Sequence, residues 1–219
     1  MTPGSYDAEA FWDKAAPFFC EEPTRKILWA EHFLIKRWVS GAKPKTLLQV
    51  GVGFGRELKM LLPLVSNITG ADISDQMLLR ARGHLGSEGE YPKVNLVHAD
   101  VGSLPFKDGA FEFVLTLGLC SHVPPEKIEK AIDELTRVSS KRVCLIELPP
   151  RVGDNPEYEF PYLVGLLEEG QTNGWGYDLA EKILRRGWSI TESVMTSEGL
   201  GASCTYVALL SEKPQELDV

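Results

Sequence analysis

The chain has no long apolar run, no basic cluster, no internal repeat and only four cysteines in 219 residues, and each shortage removes a class of protein. No stretch approaches the length that a membrane-spanning helix needs, so no membrane partner is expected. Lys and Arg number 23 against 31 Asp and Glu, a formal net charge of −8. A chain so charged offers no broad cationic footprint for phosphate backbones, and nucleic acid is disfavoured as a partner. Cys20, Cys120, Cys144 and Cys204 stand far apart with no C-x-x-C pair. They read as buried reduced thiols in a cytoplasmic protein, not as a disulfide framework. The opening MTPGSYDAEAFWDK lacks the basic start and apolar core of a secretory signal, which also fits a cytoplasmic location.

What is present is ordinary for a soluble globular protein, 43% hydrophobic and 25% charged residues, which excludes disorder and collagen-like repeats. A chain of 219 residues is expected to form a single domain over 1–219. Residues 23–40 place Ile27, Leu28, Phe33, Leu34, Trp38 and Val39 at helical steps, with Gly41 suited to the position just past the helix end. A βα rhythm follows. Strands are expected at 46–50, 67–73, 94–98, 111–117 and 142–148. Between them, helical spacing predicts helices over 56–65, after Ser74 as N-cap, and over 125–139, with Pro63 placed to end or kink the first. After residue 148 a helix at 177–186 precedes two strands, 189–196 and 204–210, that read as an antiparallel hairpin at the sheet edge. Strands that are nearly all apolar, alternating with helices, imply a doubly wound α/β fold with a mostly parallel sheet and helices on both faces.

The stretch LLQVGVGFGRELKMLL joins the first strand to the first helix of that rhythm with glycines at 51, 53 and 55. In such a sheet ligands bind beyond the carboxyl ends of the strands, and a glycine-rich first turn lets the backbone approach them closely. The dinucleotide fingerprint needs its third glycine at position 56, which is Arg56, so a dinucleotide oxidoreductase is disfavoured. Asp72, at the end of the second strand, has the spacing of a carboxylate that takes both hydroxyls of a ribose; alone it would read as a turn aspartate. Asp100 in VHADV is suited to an adenine amino group, with Val101 donating its backbone N–H, and a turn aspartate is again the competing reading.

LLQVGVGFG, then GADIS with QMLLRAR, then HADVGSLPFKDGAFEFVLTLGLCSHV, then RVCLIELP stand in this order. In these motifs the chain resembles the class I S-adenosylmethionine-dependent methyltransferases, in particular the small type 11-like group. The resemblance covers about 46–148 and continues more weakly to the terminal hairpin. It implies a Rossmann-like seven-stranded sheet with an antiparallel last strand, S-adenosyl-L-methionine as cofactor and S-adenosyl-L-homocysteine as product. It further implies that Gly51, Gly53 and Gly55 pass beneath the methionine portion and that Asp72 binds the ribose. Ile73 and Met77 would lie beside the adenine, Asp100 and Val101 at its edge, and Thr116, Leu117 and Gly118 along the methionine side. The family usually has Asp or Glu where this chain has Gln49, whose amide oxygen accepts a hydrogen bond but brings no charge to an ammonium. In the same light, 1–45 is an N-terminal helical lid, 46–148 the cofactor-binding core and 149–219 a substrate-side loop, last helix and hairpin.

Methyl transfer from a sulfonium is an in-line displacement in which the cofactor carries the activation, so the protein chiefly orients donor and acceptor. A small-molecule acceptor at O, N or C is expected, with no metal, and the chain is expected to act as a monomer or homodimer. His122, after the fourth strand, is a candidate general base, or else a histidine that caps or packs at a helix start. Glu147 either faces the acceptor or caps a loop. Trp12, Tyr162 and Trp175 are candidate acceptor-side aromatics, with core packing the competing reading of the N-terminal cluster. Two alternatives stay open: a sulfonium- or nucleoside-binding protein without turnover, and transfer from a modified S-adenosylmethionine, which the uncharged Gln49 permits.

Overall fold

The computed structural model describes residues 6–18, 29–86, 94–150, 174–197 and 205–214. Its strands are β1 (Thr46–Val50), β2 (Asn67–Asp72), β3 (Val94–His98), β4 (Phe111–Leu117), β5 (Ser139–Glu147), β6 (Ser189–Ser197) and β7 (Thr205–Glu212). They form one seven-stranded sheet in the order β3-β2-β1-β4-β5-β7-β6. β1 to β5 pair in parallel, and β7 runs antiparallel to both β5 and β6. The terminal hairpin thus enters the sheet with its second strand inside and its first at the edge. The strand order reverses between β1 and β4, and that reversal opens a crevice at their carboxyl ends.

The helices are α1 (Ala8–Ala15), α2 (Trp29–Ala42), α3 (Arg56–Leu61), α4 (Asp75–Gly86), α5 (Pro125–Val138) and α6 (Leu179–Arg185). Successive strand residues point to opposite faces, so each central strand feeds two cores. Leu48, Val50, Val114 and Leu145 pack with Ile128, Ile132 and Leu135 of α5 and Ile183 of α6. Leu47, Phe113, Leu115 and Ile146 pack with Ile35 and Trp38 of α2, Leu58 and Leu61 of α3 and Leu78 of α4. Burying each such aliphatic or aromatic side chain contributes about 1.5–3 kcal/mol, which is why apolar runs in these strands suffice to fix the sheet.

Helix ends depart from the sequence pattern at three places, the simplest being α6, which spans Leu179–Arg185 where the pattern predicts 177–186. α2 runs past Gly41 to Ala42, and Lys43 takes the left-handed conformation at φ 45° with its N–H on the Val39 carbonyl at 2.8 Å. That bond closes the helix one turn back, so the terminating role falls to a lysine. α3 ends at Leu61 instead of continuing to 65, because Pro63 cannot donate and the chain closes a turn through Leu64 N–H to Leu61 C=O at 2.8 Å. α4 begins as expected: Ser74 Oγ accepts the Met77 N–H at 3.1 Å as its N-cap. No helix among the described residues is long and apolar enough to cross a membrane.

Candidate functional site

The carboxyl ends of β1, β2, β3 and β4 bring together most of the residues singled out from sequence. The glycine loop is tied to β2 by Gly51 N–H and Val52 N–H on the Ala71 carbonyl, at 2.8 and 3.3 Å. Gly53 has φ +52°, and a Cβ there would meet no atom within 4 Å, so its missing side chain leaves open space above the loop. Gly55 serves another purpose, since a Cβ would lie 3.2 Å from that of Ala81 and hold α3 away from α4.

Asp72 is buried at the end of β2 and holds the loop from the other side. One carboxylate oxygen accepts the Gly53 N–H at 2.9 Å and the other the Ser74 N–H at 3.0 Å. Burial pushes its pKa up to about 6, against the backbone hydrogen bonds of Ser74, Gly53 and Ile73. With three backbone N–H groups already on its two oxygens, the ionised group can still accept a further hydrogen bond. Ile73 is half-buried, and its carbonyl accepts a hydrogen bond from His98 Nε2–H at 2.6 Å, which places a proton on that nitrogen. Met77 is buried in the first turn of α4. Asp100 is exposed and accepts the Gly102 N–H at 2.8 Å, the geometry of a turn aspartate. The Val101 side chain belongs to the core.

Beyond β4 the chain is held by Glu147, buried at the end of β5. Its carboxylate accepts Thr116 Oγ1 at 2.8 Å, Leu119 N–H at 3.0 Å and Ser121 N–H at 3.3 Å. Of the two readings of this residue, the geometry is that of a loop support. Burial raises its pKa to about 7, against those same hydrogen bonds. The Thr116 hydroxyl is therefore turned toward Glu147. Leu117 packs against the α2 and α3 face, and Gly118, at φ +67° with open space around its Cβ direction, faces the crevice with backbone alone.

α1 lies across these strand ends. Asp13 accepts Ser74 Oγ at 2.5 Å and Gln76 N–H at 3.1 Å, latching the helix to the start of α4. Glu9 lies 3.6 Å from His98. Trp12 stands edge-on to His122, ring centroids 4.8 Å apart, while Tyr6 packs against Trp175 at 5.8 Å. His122 itself is buried, and the Trp175 N–H reaches the Ser121 carbonyl at 2.8 Å. Trp12, His122 and Trp175 are thus brought together on the β4 side; Tyr162 lies outside the described residues, as do Cys20 and Cys204.

Sequence reading missed a buried polar cluster under the glycine loop. Glu57, in the first turn of α3, accepts Arg56 Nε at 2.7 Å, His32 Nε2 at 2.9 Å and Gln49 Nε2 at 3.3 Å. Burial works against its charge, but Arg56 and then His32 outweigh it and hold the carboxyl at about 2. Gln49 Oε1 is buried with no hydrogen-bond partner among the described residues.

Residues 47–142, nearly the whole βα core, match the family model described as a methyltransferase domain. This segment is thus similar in sequence to methyltransferase domains, and the sheet order is a fold shared with solved methyltransferases. It is 34% identical over 140 residues to a phosphatidylethanolamine N-methyltransferase of Cereibacter sphaeroides, covering 63% of this chain and 62% of that one. To a demethylmenaquinone methyltransferase of Clavibacter sepedonicus it is 31% identical over 119 residues, 52% of this chain and 46% of the other. The matches thus span less than two thirds of these relatives' lengths. In three dimensions it is similar to the crystal structure of magnesium protoporphyrin IX methyltransferase from Synechocystis PCC 6803 with bound S-adenosylmethionine. That likeness has a TM-score of 0.70 at 16% identity, over 97% of this chain and 100% of that one, and concerns the fold.

Proposed function

We propose that the chain binds S-adenosylmethionine across the carboxyl ends of β1 to β4 and transfers its methyl group to a small-molecule acceptor at O, N or C. The observation that carries this is Asp72: a buried carboxylate clamped to the glycine loop, with acceptor capacity left for a ribose hydroxyl and open space above Gly53. The donor set fits the group, since Asp72, Asp100 and Gln49 offer acceptors where a nucleoside and an amino acid carry O–H and N–H donors. Gly51 and Gly55 shape the loop, Ile73 and Met77 flank the adenine, Val101 lies at its edge, and Thr116, Leu117 and Gly118 border the methionine side.

When bound, the cofactor supplies an activated methyl on a sulfonium. The protein's residues orient the acceptor in line with it and exclude water. Trp12 and Trp175, with Tyr162, are assigned to the acceptor side, and His122 Nδ1 or Nε2 to taking the acceptor's proton where one must leave. The relatives named as N-methyltransferases and quinone methyltransferases support acceptors of small-molecule kind. A cytoplasmic location and action as a monomer or homodimer belong to the same reading. One observation favours the second reading, binding without turnover: His122 is buried against Trp12, so reaching an acceptor requires α1 to move aside. An assay for S-adenosylhomocysteine release over a panel of amine, hydroxyl and carbon acceptors separates the two. Release above the acceptor-free rate supports transfer, and cofactor binding with no release across the panel supports the second reading.

A further inference from the structure

The Gln49 amide is asymmetric in its surroundings. Its nitrogen is 3.3 Å from an oxygen of Glu57, while its own oxygen, buried in the same place, has no donor among the described residues. An ionised carboxylate only accepts, so a reversed amide would set oxygen against oxygen and leave two N–H donors unsatisfied instead. Glu57 therefore decides which way the amide points. Glu57 is in turn held by Arg56 Nε and His32 Nε2, from α3 and α2, so the orientation is braced from both helices. An orphaned buried acceptor is unfavourable, and the penalty is relieved when a donor arrives.

Gln49 lies on β1, paired with Gly70 of β2 and Leu115 of β4, two residues before the first glycine of the loop. Resting on the cofactor reading above, the nucleoside end lies toward Asp72 and Asp100, so the amino-acid end extends toward β1 and β4. That end carries one donor group, the ammonium, and one acceptor group, the carboxylate. Only the ammonium matches an orphaned oxygen. We infer that Glu57 is a positioning residue for the cofactor's amino-acid end, orienting the Gln49 amide so that Oε1 accepts from the ammonium. Where the resemblance implies an acid at position 49, this chain has an amide with the Glu57 carboxylate 3.3 Å behind it. Reintroducing an acid at 49 alone sets two carboxylates against each other.

The test is calorimetric titration with two ligands, S-adenosylhomocysteine and 5′-methylthioadenosine, which shares the nucleoside thioether but lacks the amino-acid end. For Glu57→Gln and for Gln49→Leu, affinity for S-adenosylhomocysteine is expected to fall about tenfold, the scale of one charge-assisted hydrogen bond. Affinity for 5′-methylthioadenosine is expected to stay unchanged. Gln49→Glu is expected to weaken S-adenosylhomocysteine binding, and Gln49→Glu combined with Glu57→Gln to recover it. Equal losses for both ligands, or no loss for S-adenosylhomocysteine in either Glu57→Gln or Gln49→Leu, would overturn the inference while leaving the cofactor reading in place. Wild-type protein that binds neither ligand would overturn both.

Discussion

Asp72 Oδ2 accepts the amide proton of Gly53 at 2.9 Å across 19 residues of sequence, so the acid at the end of β2 and the glycine loop after β1 hold one another in place. The same carboxylate caps the turn into α4 through Ser74 N–H. A group with these two duties braces the loop surface, and under the proposed function it is also the acceptor for the ligand's ribose.

Protonating that carboxylate removes acceptor capacity. With the Asp72 pKa raised to about 6, cofactor affinity is expected to be level from pH 8 to about 7 and to fall below about pH 6. Titrations across pH 5 to 8 check this, and an affinity that rises toward pH 5 would count against the assignment of Asp72.

Fold stability carries the complementary trend. Asp72 and Glu147 both have folded-state pKa values raised by burial, to about 6 and about 7. Each therefore binds its proton more tightly folded than unfolded, and contributes stability that is full below the ordinary carboxylate range and is lost as pH rises through 6 to 7. The ligand-free melting temperature should drop on this account between pH 5 and 8, and Glu147→Gln should flatten the slope. An unchanged slope in that variant would show that Glu147 ionises normally.

Ser74 has two partners where Asp13 has one role. Ser74→Ala removes the N-cap of α4 and the Asp13 bond together, so it should cost more than Asp13→Ala, with the cap alone worth about 1 kcal/mol. Asp13→Ala should leave global stability nearly intact and speed amide hydrogen exchange in α1 and at Gln76, whose N–H it accepts. Faster exchange spread beyond Gln76 over α4 and β2 would contradict the picture of a separate latch.

Phe113 is fully buried on β4 between the sheet and the α2 and α3 face. Truncation to alanine should destabilise by about 3–5 kcal/mol, a large fraction of a typical domain's stability. Chemical denaturation measures it directly.

The parts of the fold that are legible in the amino-acid sequence are those with short-range signals. β1, β4 and β5 carry runs of buried apolar residues, a local signal, and β3, a half-buried edge strand, and β4 fall where the pattern puts them. The glycine loop and Asp72 are likewise short-range, one turn and one strand end at a fixed spacing. What sequence could not carry is contact between distant segments. Asp13 finds Ser74 across 61 positions, and His32 finds Glu57 across 25. Arg56 and Glu57 look in sequence like solvated charges at a helix start; only the packing of α2 against α3 turns Glu57 inward. Glu147 allowed two readings because an acid at a strand end serves a loop or a pocket equally well, and the loop after β4 decided between them.

The most direct measurement is calorimetric titration of the purified protein with S-adenosylmethionine and S-adenosylhomocysteine, alongside Asp72→Ala. Micromolar binding by the wild type that the substitution abolishes is the expected result. Binding that survives in Asp72→Ala, or its absence in a folded wild type, would contradict the assignment of the crevice above the glycine loop as the cofactor site.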